Sequence, residues 1–155
     1  MTITNVNFGE TDFGAASTDT ATAGNARIVN GFRGVTAFYG VSTAASAMIV
    51  NQFRGITTFN EFSTAGNANI TNQLHGSAFF YDNSSAGTAT ITNESSGTNL
   101  GIPAGLAFFG NSTAGNATIT NSNGLIAFGF PGGSDTASAG HAIITNNSGG
   151  QLQFG

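Results

Sequence analysis

Apolar and polar positions alternate along the chain in short blocks of one form, Ala-x-Ile-x-Asn. Ile28, Ile49, Ile70, Ile91, Ile119 and Ile144 each have Ala two places earlier (Ala26, Ala47, Ala68, Ala89, Ala117, Ala142). Each has Asn two places later: Asn30, Asn51, Asn72, Asn93, Asn121 and Asn146. Ile3-Thr4-Asn5 opens the series. A period of two puts Ala, Ile and Asn on one face of an extended strand and the intervening residues on the other. From Ile28 to Ile91 the spacing is 21 residues three times running, and the other intervals are 25, 28 and 25. The longer intervals read as the same unit carrying insertions, at 94–105 and 129–140 in the later part, which should emerge as outer loops.

Further columns keep this register. Gly34, Gly55, Gly76 and Gly150 stand four places after a ladder Asn, and Gly124 stands three. Phe38, Phe59, Phe80, Phe128 and Phe154 follow these glycines by four; Gly105 and Phe109 repeat the interval, which assigns Phe109 to the Phe column. A second strand is therefore expected around each Phe, with Gly supplying either a positive φ or a close backbone approach. Strands this short are stable only when stacked on the preceding coil. Each column then becomes a ladder with the inter-strand step of about 4.8 Å.

The fold expected is all-β: a single-stranded parallel β-solenoid, right-handed, of about seven coils. A helical reading fails because Gly is too dense, β-branched residues fill the blocks, and no 3.6-residue stripe persists. A propeller blade needs about 40 residues, more than this unit supplies. Residues 1–155 read as one solenoid domain, a segment of a longer repeat protein.

Composition narrows the functional classes. Charged residues are 6% of the chain, with three Arg, no Lys and a net charge of −4. That balance lacks the basic surface needed to neutralise phosphates, so nucleic acid is not an expected partner. Cysteine is absent, which excludes disulfides, thiol catalysis and cysteine-ligated metal. The opening MTITNVNFGE has neither the basic nor the apolar part of a signal peptide. No apolar run is long enough for a transmembrane helix, so no such segment is expected.

The phrase Ser-Thr-Ala-Gly-Asn-Ala-x-Ile-Thr-Asn, at 63–72 and 112–121, resembles β-strand repeats of large bacterial surface proteins with autotransporter-like passengers. The resemblance extends over nearly the whole chain. It implies a right-handed coil, an extracellular or bacterial cell-surface location, and a longer parent chain. It brings no catalytic residue with it.

Residue by residue, the candidate chemistry is sparse. The Asn column reads as stacked amides bonding between coils at a strand-to-turn junction. Arg33, Arg54 and His75 form a column three places after the ladder Asn. Neighbouring like charges repel, so this edge should be solvated, and it is suited to an anionic glycan or a phosphate. Thr71, Thr92, Thr120 and Thr145 continue a column begun by Val29 and Val50, with Thr90 and Thr118 alongside. This Thr face gives an ice-binding alternative, though Arg27, Met48 and Asn69 interrupt its second rank.

The seven acids read as scattered, and Glu61 and Asp82 on adjacent coils are the one pair suited to carbohydrate chemistry. Pro131-Gly-Gly-Ser-Asp135 reads as a loop rather than a calcium motif, and His75 and His141 lie in different columns. No catalytic, cofactor or metal residue is assigned and no enzymatic activity is expected. The expected role is a structural or adhesive segment. Its partners would be its own kind through open solenoid ends, the rest of a parent chain, or a surface glycan.

Overall fold

The computed structural model describes residues 1–94, 98–99, 102–103, 105–130 and 132–155. The chain winds as an all-β parallel solenoid of about six turns, and two seven-stranded parallel sheets run its length. The first sheet stacks Thr2–Asn5, Arg27–Asn30, Met48–Asn51, Asn69–Asn72, Thr90–Asn93, Thr118–Asn121 and Ile143–Asn146. The second stacks Glu10–Phe13, Val35–Phe38, Ile56–Phe59, Ser77–Phe80, Gly105–Phe108, Leu125–Phe128 and Gln151–Phe154. A third side is made by single-residue parallel bridges through Thr22, Thr43, Thr64, Ser85, Thr113 and Ser138.

The first sheet has the expected face assignment. Ile28, Ile49, Ile70, Ile91 and Ile119 are fully buried, and each stacks in register on the Ile of the next coil. Ala fills the corners beside them: Ala44, Ala47, Ala65, Ala68, Ala86, Ala89, Ala114 and Ala117 are also fully buried. A larger residue would force the walls apart at a point where adjacent sides of the prism converge. Fully burying each Ile contributes about 1.5–3 kcal/mol relative to exposure.

In the second sheet Phe13, Phe38, Phe59, Phe80, Phe108, Phe128 and Phe154 form one stack. Successive ring centroids are 4.7, 4.8, 4.6, 4.7, 4.9 and 5.2 Å apart. These distances follow the strand spacing, so the backbone sets the ring step. Phe108, not Phe109, belongs to this ladder. Gly105 pairs with Leu125 inside the strand, so the Gly-to-Phe count that selected Phe109 starts one place too late. Phe109 instead points to the other face of the sheet, in a small cluster with Ile56, Phe79, Ala107 and Ala127.

Tyr81 packs against this outer cluster, its ring centroid 5.4 Å from that of Phe109. Burial holds the Tyr81 phenol above the ordinary tyrosine value of 10.0. Tyr39 is also raised, by burial first and then by the charges of Asp12, Glu10 and Glu61. A folded value above the unfolded one means that this contribution is fully present below about pH 10. It is lost as pH rises through the folded value. Stability should therefore fall on alkaline titration above pH 10, in step with tyrosinate absorbance. A Tyr81→Phe variant should lose less stability over that range. An equal loss would exclude Tyr81 as a contributor.

The insertions leave the coil at two corners. Thr98–Asn99 pairs antiparallel with Ile102–Pro103, forming a two-stranded sheet separate from the main two. The remaining expected loop positions 95–97, 100, 101 and 104 lie outside the described residues, as does Pro131. In the second insertion Gly132, Gly133 and Ser134 are exposed, and the coil resumes where the Thr136 amide donates to Gly110 O at 2.7 Å.

Candidate functional site

The Asn ladder lies inside the fold. The Nδ2 of Asn5 donates to Asn30 Oδ1 at 3.0 Å, Asn30 to Asn51 at 2.9 Å, and Asn51 to Asn72 at 2.9 Å. Asn93 donates to Asn121, and Asn121 to Asn146, each at 2.7 Å. The same amides bond the neighbouring strand, as when Asn30 Nδ2 donates to Ile56 O at 3.0 Å. In three coils a Thr hydroxyl adds a donor: Thr11 to Asn5, Thr36 to Asn30 and Thr57 to Asn51. From Asn30 to Asn121 these side chains are fully buried, which makes the ladder an internal brace joining the two sheets.

The Asn72–Asn93 rung differs. Asn72 Nδ2 turns to Gly105 O at 3.0 Å, and Asn93 Oδ1 is buried without a partner among the described residues. The 28-residue spacing begins immediately after this rung, between Asn93 and Asn121.

Four of the seven acids, Asp19, Glu61, Asp82 and Asp135, are ordered rather than scattered, while Glu10, Asp12 and Glu94 lie elsewhere. Asp19, Gly40, Glu61, Asp82, Gly110 and Asp135 each stand three places before a residue of the third-side bridge series, so they form one corner column. Gly40 N–H donates to Glu61 Oε2 at 2.6 Å, Glu61 N–H to Asp82 Oδ2 at 2.9 Å, and Gly110 N–H to Asp135 Oδ1 at 2.7 Å. Several of these residues hold left-handed backbone, with φ of 57° at Glu61 and 56° at Asp82.

Asp19 and Asp135 also close the loops ahead of them. Asp19 accepts from Ala15 and Ala16 N–H at 2.6 and 3.0 Å, and Asp135 from Phe130 N–H at 3.0 Å. The Ala15 bond, then the Ala16 bond, hold the Asp19 carboxyl below the usual range. Glu61 and Asp82, singled out as a carbohydrate-active pair, each use a carboxylate oxygen to cap the backbone of the preceding coil. Among the described residues no group of three or more His, Asp or Glu is placed to hold a metal.

Thr71, Thr92, Thr120 and Thr145 fall in one outward ladder with Val29 and Val50. The adjacent outward column reads Thr2, Arg27, Met48, Asn69, Thr90, Thr118 and Ile143. Paired Thr ranks on neighbouring coils are thus limited to Thr90 with Thr92 and Thr118 with Thr120.

The turn after the Asn ladder carries the remaining candidate. Arg33, Arg54 and His75 occupy equivalent places on successive coils, Arg33 half-buried and the others exposed. Phe8 holds the same place one coil earlier. The residue preceding each is apolar and exposed: Phe32, Phe53 and Leu74, each 51% accessible. The Arg33 guanidinium carbon is 5.2 Å from the centroid of Phe8 and 5.6 Å from that of Phe32, within cation–π range.

Phe32, Phe53, Arg54, Leu74 and His75 line an open groove of about 350 Å³. No ion pair involves Arg33, Arg54 or His75 among the described residues, and Arg33 Nε is buried without a partner. Arg33, Arg54 and His75 stand out in the sequence; the exposed apolar column beside them does not. The repeated pairs Phe32-Arg33, Phe53-Arg54 and Leu74-His75, 21 residues apart, were the available signal. The chain matches no known protein-family model, no curated protein and no solved structure.

Proposed function

We propose that this chain is a structural repeat segment of an extracellular or bacterial surface protein, lengthening by end-to-end stacking of coils. Stacking would be on further coils of a parent chain or on another copy. The observation that carries this reading is the register of the ladders, in which each Ile, Asn and Phe rung rests on an equivalent one in the next coil. Ile143–Asn146 and Gln151–Phe154 each have a strand partner on one side only. Phe154, the end of the aromatic stack, is 62% exposed, and Leu152 beside it is 39% exposed. A free parallel edge with unpaired backbone groups is a template for another strand. The first coil presents the same columns, with Ile3, Asn5 and Phe13 in register with the coils above. The surface location draws on the resemblance of the 63–72 and 112–121 phrases to passenger repeats.

Light scattering over a concentration series, with negative-stain electron microscopy, tests the proposal. End-to-end rods are expected, growing by roughly 34 Å per copy for seven stacked strands at about 4.8 Å each. Leu152→Lys with Phe154→Lys should stop growth while the circular dichroism spectrum stays unchanged. A monomer at every concentration, or growth undiminished in the variant, would overturn self-stacking. Faceting of ice crystals by such a monomer, lost in Thr92→Lys, would transfer the reading to the Thr face.

A further inference from the structure

We infer that the Phe–Arg corner is a binding site for a linear acidic polysaccharide carrying one carboxylate per sugar ring. This face is separate from the stacking ends, so its failure would leave the end-to-end reading intact.

Charge favours such a ligand. The chain has a net charge of −4 and only three Arg, yet Arg33 and Arg54 lie on adjacent coils with His75 next in line. Two arginines held near each other without a counter-charge leave a local positive potential that an anion would relieve. The guanidinium fork suits a carboxylate in bidentate geometry.

The fold does not require these side chains. Arg33, Phe53, Arg54, Leu74 and His75 have φ of 54°, 51°, 68°, 50° and 66°, a region that large side chains disfavour. The corresponding turns of later coils use Asn123 and Gly149, residues suited to that backbone. Bulky apolar and cationic residues in strained, exposed places invite a functional explanation.

The period of the coil fits a polymer. Three successive coils each add an exposed apolar side chain, Phe32, Phe53 or Leu74, followed by Arg33, Arg54 or His75, at a step of about 4.8 Å. A pyranose polymer advances by a similar distance per ring, so successive rings can lay their C–H faces on Phe32, Phe53 and Leu74. Their carboxylates then meet the Arg54 and His75 edge. A free small anion would use one rung and leave the apolar column unexplained. An anionic bilayer would meet a protein of like net charge through a single narrow row.

Calorimetric titration with polygalacturonate, and with its fully methyl-esterified form, tests the site. Wild-type protein should bind the acid polymer, more weakly as salt rises, and bind the ester roughly tenfold less tightly. Arg54→Gln and Phe53→Asn should each weaken binding of the acid form roughly fivefold or more at unchanged Tm. Asn is chosen because it tolerates left-handed backbone, and Arg54 is exposed and unpaired, so neither change endangers the fold. Absence of binding at low salt, equal affinity for both polymers, or unaltered binding by both variants would overturn the inference. So would binding confined to phosphatidylglycerol vesicles.

Discussion

Ile70→Asp is expected to abolish cooperative folding, whereas its neighbour Thr71→Asp should melt within a few degrees of the wild type. Ile70 is fully buried between Ile49 and Ile91, while Thr71 faces outward between Val50 and Thr92. Removing the Ile side chain from a packed core costs about 2–5 kcal/mol. Placing an unpaired carboxylate there adds several kcal/mol more, or forces it to bind a proton. The sum rivals the whole stability of a typical domain, about 5–15 kcal/mol. At Thr71 the change is one of strand preference on an outer face, a matter of about 1 kcal/mol. Thermal unfolding followed by far-ultraviolet circular dichroism compares the two. Equal destabilisation would refute the assignment of faces.

The contrast between Ile70 and Thr71 was legible because the Ala-x-Ile-x-Asn block keeps a strict period of two. One register then fixes every face in the sheet. The Phe column was legible wherever the Gly-to-Phe interval began at an equivalent Gly. It failed at Phe109 because Gly105 sits within the Gly105–Phe108 strand, opposite Leu125, rather than in the turn before it. A residue gained inside an insertion changes the count without changing any local pattern.

The acid column was hidden for a related reason. Gly40 and Gly110 occupy two of its places and the later insertions lengthen the intervals after Asp82, so Asp19, Glu61, Asp82 and Asp135 stand 42, 21 and 53 residues apart. The third side could not be read from alternation because each coil contributes a one-residue bridge, too short to carry a period. The aromatic corner ran against the usual weighting. A repeated Phe is ordinarily assigned to the core, and only the direction of the turn shows that Phe32 and Phe53 face solvent.

Gly55→Ala should be far more damaging than Gly24→Ala, although Gly24 is the one with left-handed backbone. Gly24 has φ of +58° and no heavy atom within 4 Å of an added Cβ. Ala45 occupies the equivalent place in the next coil at φ 52°, so the chain already accepts Ala there. The expected cost is about 1 kcal/mol. At Gly55 the φ is unremarkable, but an added Cβ would fall on the carbonyl oxygen and carbon of Asn30 and within 2.9 Å of its Cβ. That carbonyl accepts the Gln52 N–H at 2.9 Å, and the Asn30 amide is bonded to Asn51 and Ile56. Neither the carbonyl nor the amide can retreat without breaking the brace between sheets. Overpacking against backbone in this setting should cost at least about 3 kcal/mol. At roughly 2–4 °C per kcal/mol for a chain of this size, Gly55→Ala should lower Tm by about 6–12 °C or more. Gly24→Ala should lower it by about 2–4 °C. The reverse order would mean that the repeating Gly serves the turn's dihedral angles rather than the close approach of adjacent coils.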